Sequence, residues 1–292
     1  MSKWTGKSRG GLIGYSFFVY TLKWFGVGTA YALLEIVYPF YFWFEKDKKA
    51  NLIKFYQAVG HDTATAKKIV RKNFKVLGQC LIDRVAFLIG KGDEYTFSLD
   101  GEENLLEITS MGKGGLLLSA HLGNWEIAGN LLKKKGISSN INVLMLDAEH
   151  KKIKDFLVKQ TNGQLFNIIP ITDDFSYLVN LKEAVTKNEM ICLHGDRFLD
   201  GSKTVEKSFF GKRTIFPTGP FELGVRLNIP VCIVYAIKTS KRHYALQASK
   251  LIENSSGQEI SDLYISKLES LVRQHPEQWF NYYDYFEKDT GS

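Results

Sequence analysis

From Gly101 onward this 292-residue chain alternates short apolar runs with longer helical periods, and few architectures accept that alternation. The runs at 115–120, 141–146, 166–171, 190–193, 231–237 and 244–248 have strand length and are apolar almost throughout. Strands of a parallel sheet read this way because helices cover both of its faces. Helices are predicted between several of them, at 124–135, 150–161, 175–187 and 219–227, with a last one at 261–274. Strands alternating with helices argue for an α/β fold, a largely parallel central sheet flanked by helices. Upstream, residues 63–90 read as an amphipathic helix. Val70, Phe74, Leu77, Leu81, Val85 and Leu88 recur three and four apart, and Thr63 or Thr65 can cap its start. There is no internal repeat and no low-complexity linker, so the simplest organisation is one α/β domain over 49–292 behind an N-terminal segment over 1–48.

That segment is the second constraint. Between residues 11 and 44 only Lys23 and Glu35 are charged, while Lys3, Lys7 and Arg9 precede the stretch and Lys46, Lys48 and Lys49 follow it. Residues 25–44 have the length of a membrane span. Glu35 lies inside them and must face protein, face water or be protonated. Trp24, Tyr31, Tyr38, Tyr41 and Trp43 are amphipathic aromatics of the kind that favour a headgroup layer. A membrane-associated helical anchor is expected, spanning or interfacial, ahead of a pair of unusually apolar core helices in a soluble protein. A cleaved signal peptide is not expected, since the apolar stretch is too long and no small-residue cleavage site follows. The net charge of +7 suits an anionic membrane surface or an acidic protein partner. Lys67, Lys68, Arg71, Lys72 and Lys75 add a basic run, a solvated face by default. No nucleic-acid module is present in the sequence pattern. Cys80, Cys192 and Cys232 are odd in number and widely spaced, which points to small buried hydrophobes rather than disulfides or a metal site.

The chemistry concentrates where the first run ends, in Ser119-Ala120-His121-Leu122-Gly123-Asn124-Trp125-Glu126. Asn124 is a good N-cap, so His121 falls in a strand-to-helix turn at the carboxyl end of a strand, where open α/β sheets bind ligands. Gly123 lets a substrate or backbone come close. Across such a turn Glu126 can accept the Nδ1 proton of His121, leaving Nε2 free as a base; an imidazole of ordinary pKa, about 6.5, suits that task near neutrality. The acceptor hydroxyl can then be the nucleophile itself. By itself His-x4-Glu is a spacing that chance often produces.

A second cluster, Leu193-His194-Gly195-Asp196-Arg197, also follows a strand. Asp200-Gly201, Ser208-Phe209-Phe210-Gly211 and Pro217-Thr218-Gly219-Pro220 come after it. The plain reading is a long loop and then a helix begun by Thr218 and Pro220. The functional reading is a second wall of the same site, with Arg197 holding a phosphate or carboxylate. A metal hydrolase on His121, Glu126, His194 and Asp196 can be drawn from residue types, but no ligand spacing supports it.

Together these blocks, with the closing His275-Pro276-Glu277-Gln278-Trp279-Phe280, resemble the late acyltransferases of lipid A biosynthesis, within the wider lysophospholipid acyltransferase group and its His-x4-Asp/Glu motif. The resemblance covers nearly the whole chain. It implies a glycerolipid acyltransferase-like fold, His121 as general base, Glu126 as its orienting partner and Asp196 as a further catalytic-site residue. Gly123, Asn124, Arg197, Thr218 and Gly219 become candidate substrate contacts. No metal or cofactor is implied. The implied donor is a fatty acyl thioester on acyl carrier protein or CoA, and an acidic carrier suits a basic enzyme. The implied acceptor is a hydroxyl of a lipid A-type glycolipid. The implied location is the bacterial cytoplasmic (inner) membrane, with the catalytic domain on its cytoplasmic face. The sequence also departs from the family pattern. Val143 to His150 holds no arginine where the family commonly places one, Gln160-Thr161-Asn162-Gly163 is equally thin in basic residues, and Arg197 stands in place of the usual Gln. Two alternatives therefore stay open: the same chemistry on an aryl-polyene or flexirubin-type pigment precursor or an amino-acid lipid, and an inactive membrane-anchored scaffold.

Overall fold

The computed structural model describes residues 12–127, 140–146, 166–172, 174, 176–198 and 201–286. Its strands are β1 (Thr96–Asp100), β2 (Gly115–Ser119), β3 (Ile141–Leu146), β4 (Asn167–Ile171), β5 (Met190–His194), β6 (Thr204–Phe209), β7 (Lys212–Pro217), β8 (Val231–Ser240) and β9 (His243–Ala248). Seven of them form one sheet in the order β1-β9-β8-β2-β5-β3-β4. Every neighbouring pair is parallel except the β8–β9 hairpin. The expected α/β class holds, and the six strands read from apolar runs are all present. β1 and the separate β6–β7 hairpin were not anticipated. Ser208 to Gly211, read as loop, closes that hairpin: Phe210 and Gly211 both take positive φ, the geometry of a tight two-residue turn.

The sheet is apolar on both faces, which explains its unbroken runs. All five residues of β2 are buried. Leu116, Leu118, Ile191, Leu193, Val231 and Ile233 join one core cluster, whereas Leu117, Met190, Cys192 and Cys232 join another on the opposite face. The period of two sends alternate residues to opposite sides. The α-helices among the described residues are α1 (Leu12–Phe44), α2 (Lys46–Ala58), α3 (Thr63–Leu88), α4 (Glu102–Ser110), α5 (Tyr177–Thr186), α6 (Gly219–Leu227) and α7 (Gly257–Gln274). α3 is capped by Asp62, not by either threonine: its carboxylate accepts from the backbone of Ala64 at 2.8 Å and Thr65 at 3.0 Å. α7 starts four residues before the expected Ser261, because Ser256 and Glu259 form a reciprocal capping box. Of the helix expected at 124–135, residues 125–127 are helical and the remainder lies outside the described residues, as does the helix expected at 150–161.

α1 is one apolar helix broken at Gly26, long and apolar enough to cross a membrane. One side of it packs against α3 and the sheet. Val19, Leu22, Val27, Ala30, Tyr31 and Leu34 are buried in a common cluster with Ile82, Val85, Phe87, Tyr95 and Tyr244. Its other side is bare: Trp24 is 79% exposed, and Phe25, Phe40, Trp43 and Phe44 are also exposed. Glu35 finds a cation, 2.6 Å from Lys75 on α3.

A buried polar knot ties α1, α3 and the sheet together. Lys238 Nζ sits 2.6 Å from Asp83 Oδ2, with side chains 4% and 0% exposed. Tyr31, Tyr95 and Tyr244 all donate to the Asp83 carboxylate. Lys238 also donates to Tyr31 Oη and to the Lys241 carbonyl. Burying a charge is tolerable only when it is paired and hydrogen-bonded to this degree.

Candidate active site

β2 and β5 are adjacent and parallel, in a register that pairs Ser119 with His194. Their carboxyl ends therefore deliver His121 and Asp196 to the same point. His121 Nδ1 lies 2.9 Å from Asp196 Oδ1, and its backbone N–H donates to Oδ2 at 3.1 Å. Asn281 Nδ2 donates to the same Oδ2 at 3.2 Å. The carboxylate is wholly buried, and its three donors fix it in place.

This corrects the partner expected for His121. Glu126 does not meet the imidazole; its Oε2 lies 2.5 Å from Arg84 Nε on α3. The helix that begins after Asn124 carries Glu126 toward α3, while β5 brings Asp196 to Nδ1. Asp83 and Arg84 are the only charged residues between Val76 and Gly90, a visible signal that this part of α3 meets polar partners.

The turn itself is held from three sides. Gly123 has φ +71°, and a Cβ there would meet the Ala236 carbonyl of β8 at 2.1 Å. The close approach that this glycine permits is thus to backbone. Asn124 N–H donates to that carbonyl at 2.8 Å. The Asn124 side chain is buried and donates to the Cys80 carbonyl at 3.0 Å and to Tyr244 Oη at 3.3 Å, so it braces the turn against α3 and the knot. On the third side Phe280 N–H donates to the His121 carbonyl at 2.9 Å and Gly123 N–H to the Gln278 carbonyl at 3.1 Å. Gln278 pairs its amide with both backbone groups of Lys238, and Trp279 is fully buried beside Tyr285. The block 275–280 is therefore a clamp on the histidine turn.

Arg197 belongs to the same clamp. Its Nε donates to Asn281 Oδ1 at 2.7 Å and its Nη2 to the Phe280 carbonyl at 2.6 Å. Two of its three nitrogens are held by the tail. Thr218 and Gly219 open α6, and the polar contacts of Thr218 run to the Lys203 carbonyl. Among the described residues nothing joins Thr218 or Gly219 to His121. Asn281 and Arg84 had no motif to announce them.

The electrostatics follow from burial. Burial and the nearby Arg197 guanidinium push His121 below the ordinary imidazole pKa, against the opposing pull of Asp196. Burial opposes ionisation of Asp196, yet His121 and then Arg197 outweigh it and hold the carboxyl well below its usual range. The result at neutral pH is an ionised Asp196 accepting from Nδ1–H of a neutral His121. His194 completes the group, its Nδ1 3.3 Å from His121 Nε2. His121, His194 and Asp196 offer two imidazoles and a carboxylate within 4.8 Å of one another, donor types that suit a divalent metal. Here they are linked in a hydrogen-bonded chain, and Glu126 is not among them. Beside them an apolar cavity runs under the sheet, lined by Leu105, Leu117, Ser119, Trp125, Phe166 and Cys192. Trp125 joins cavity and site: its ring packs 5.3 Å from that of His194.

A family model described as bacterial lipid A biosynthesis acyltransferase matches residues 21–286. The phosphatidylinositol mannoside acyltransferase of Mycobacterium tuberculosis is 24% identical over 186 residues, 62% of this chain and 57% of that protein. The protein of that name from Mycolicibacterium smegmatis is 30% identical over 127 residues, 42% of this chain and 40% of that protein. The chain thus spans between 40% and 57% of these relatives' lengths. The crystal structure of the 1-acyl-sn-glycerophosphate acyltransferase PlsC from Thermotoga maritima aligns with 92% of this chain and 97% of its own, at a TM-score of 0.35 and 14% identity.

Proposed function

The chain belongs to the bacterial lipid A biosynthesis acyltransferase family, and from that premise we propose that it moves a fatty acyl group from a thioester to a sugar hydroxyl of a glycolipid, with His121 as general base. The observation that carries the reading is the buried Asp196 carboxylate on His121 Nδ1, at the carboxyl ends of two adjacent parallel strands. Asp196, in place of Glu126, fixes the tautomer and stabilises the imidazolium that forms. Glu126 acts at a distance, through Arg84, by holding the helix that follows the turn. As the hydroxyl oxygen attacks the thioester carbonyl, its proton ends on the His121 ring. When the tetrahedral intermediate collapses, the C–S bond breaks and the proton goes to the departing thiolate. General base catalysis of this kind contributes about 10²–10⁴-fold.

The rest of the site is read accordingly. The apolar cavity beside Trp125 marks the side on which the acyl chain would lie; at about 40 Å³ it must open further to take a chain. The net charge of +7 favours an acidic acyl carrier protein as donor, with acyl-CoA as the alternative. The sugar-lipid acceptor is preferred to a pigment precursor or an amino-acid lipid because both mycobacterial relatives are named for a glycosylated lipid. α1 lies in the membrane interface instead of spanning it: its inner face is locked to α3 and its outer face is aromatic. That arrangement would set the body on the cytoplasmic face of a bacterial inner membrane, with 49–292 as the catalytic part. The test is direct. Purified protein is given acyl carrier protein and CoA thioesters with lipid A precursors, mannosylated phosphatidylinositol, pigment precursors and amino-acid lipids, and the products are weighed by mass spectrometry. Acylated glycolipid is expected. Acylation of a non-sugar acceptor alone would overturn the acceptor, and no transfer to any acceptor would overturn the activity.

A further inference from the structure

His194 occupies the nitrogen of His121 that a substrate hydroxyl would be expected to use. It ends β5, and register places it beside Ser119, two residues before His121. Its ring meets that of His121 edge-on, with centroids 4.3 Å apart and planes at 69°, and Trp125 packs on it at 5.3 Å. The proton positions along this chain follow from Asp196. A carboxylate only accepts, so the proton in the 2.9 Å contact belongs to His121 Nδ1. Nε2 of a neutral His121 is then an acceptor, and the proton in the 3.3 Å contact belongs to His194 Nδ1. A neutral His194 protonated at Nδ1 has a bare Nε2. Among the described residues no protein group is hydrogen-bonded to that nitrogen, and the His194 residue is only partly buried.

We propose that His194 is a catalytic residue in a two-step proton relay, Asp196–His121–His194, and that the acceptor hydroxyl meets His194 Nε2 rather than His121 directly. The step rests on the acyl-transfer reading above. As the C–O bond to the acyl carbon forms, the hydroxyl O–H breaks and N–H forms at His194 Nε2. At the same time Nδ1–H of His194 breaks and N–H forms at His121 Nε2. The positive charge comes to rest on His121, against the Asp196 carboxylate. On collapse of the intermediate the same path runs backward: His121 returns its proton to His194 Nδ1, and His194 Nε2 gives its proton to the thiolate. Atoms and charge balance, and no group outside the three residues and the two substrates takes part.

A purely positioning histidine makes a different forecast, and asparagine separates the two. In His194→Asn the amide N–H replaces Nδ1–H as donor to His121 but cannot take up a proton and pass one on. The experiment compares full-length His194→Asn, His194→Ala and His121→Ala in single-turnover transfer from an acyl thioester. Both His194 variants are expected to lose about 10²–10⁴-fold in rate with thioester KM little changed, as for loss of a general base. Added imidazole is expected to restore part of the His194→Ala rate. A parental rate for His194→Asn beside an inactive His121→Ala would overturn the relay and leave the base intact. An active His121→Ala would instead overturn the base. The parent protein provides an independent check that no folding defect can cloud. Two protons in flight give a curved dependence of rate on solvent deuterium fraction, and a straight line would overturn the relay.

Discussion

Removing one member of the buried Asp83–Lys238 pair should be strongly destabilising. Both are buried, 2.6 Å apart, and three tyrosine hydroxyls share the carboxylate. Breaking a buried pair by deleting one partner costs about 3–5 kcal/mol. Lys238→Met leaves Asp83 with its three tyrosine donors, each worth about 1.5–3 kcal/mol to a charged acceptor, so the loss falls near the lower bound. Asp83→Leu leaves the Lys238 ammonium without its counter-ion and takes an acceptor from all three hydroxyls, so the loss falls near the upper bound, about 5 kcal/mol. Against a typical domain stability of about 5–15 kcal/mol, that is enough to populate unfolded protein at room temperature. The double variant removes both charges and should be more stable than the two single losses imply, by at least about 2 kcal/mol of coupling. The assay is urea unfolding in mild detergent, followed by tryptophan fluorescence. Acyl transfer should fall in parallel, because Tyr244 also receives Asn124 of the histidine turn and Lys238 carries the backbone that Gln278 grips. Single losses below about 1 kcal/mol, or strict additivity, would refute the view that this pair anchors the turn.

Four further outcomes are expected. Glu126→Gln should lower kcat far less than His121→Ala, because Glu126 faces Arg84; an equal loss would mean that Glu126 acts on the imidazole after all. The acid limb of the pH–kcat/KM profile should lie below the ordinary imidazole value of about 6.5, since His121 must be neutral to act and its pKa is depressed. Arg197→Met removes a repelling cation, so that limb should move to higher pH, and a limb that stayed fixed would contradict the field assigned to Arg197. Changing Trp24 and Trp43 to Ser should weaken sedimentation with anionic vesicles by more than about tenfold, given about 1.5–3 kcal/mol per inserted large side chain, while leaving thermal stability unchanged. Unaltered sedimentation would place the membrane contact elsewhere.

β2, β5 and most of β8 were legible because they are buried on both faces and read as unbroken apolar runs, as Leu116 to Leu118 do. α6 matched to the residue because Pro220 sits in its first turn and Asn228 stops it in a left-handed cap; the Thr218 side chain makes no capping bond. The turn carrying His121 was legible for the same local reasons. What one sequence does not encode locally is strand order. That β2 neighbours β5, and so brings Asp196 rather than Glu126 to Nδ1, depends on pairings across 75 residues. The same limit hid the clamp, since Gln278 and Phe280 reach His121 and Lys238 only through tertiary contact. Gly123 was recognised as a site of close approach, but sequence could not say that the approaching group is the Ala236 carbonyl.

The central claim is that Asp196 holds His121 ready as the base for acyl transfer, and the most direct measurement is the single-turnover rate of Asp196→Asn. The amide keeps the size of the side chain and removes the charge that fixes the Nδ1–H tautomer. The rate is expected to fall by about 10²–10⁴-fold with thioester binding retained. A folded Asp196→Asn protein that transfers acyl groups at the parental rate would contradict the claim.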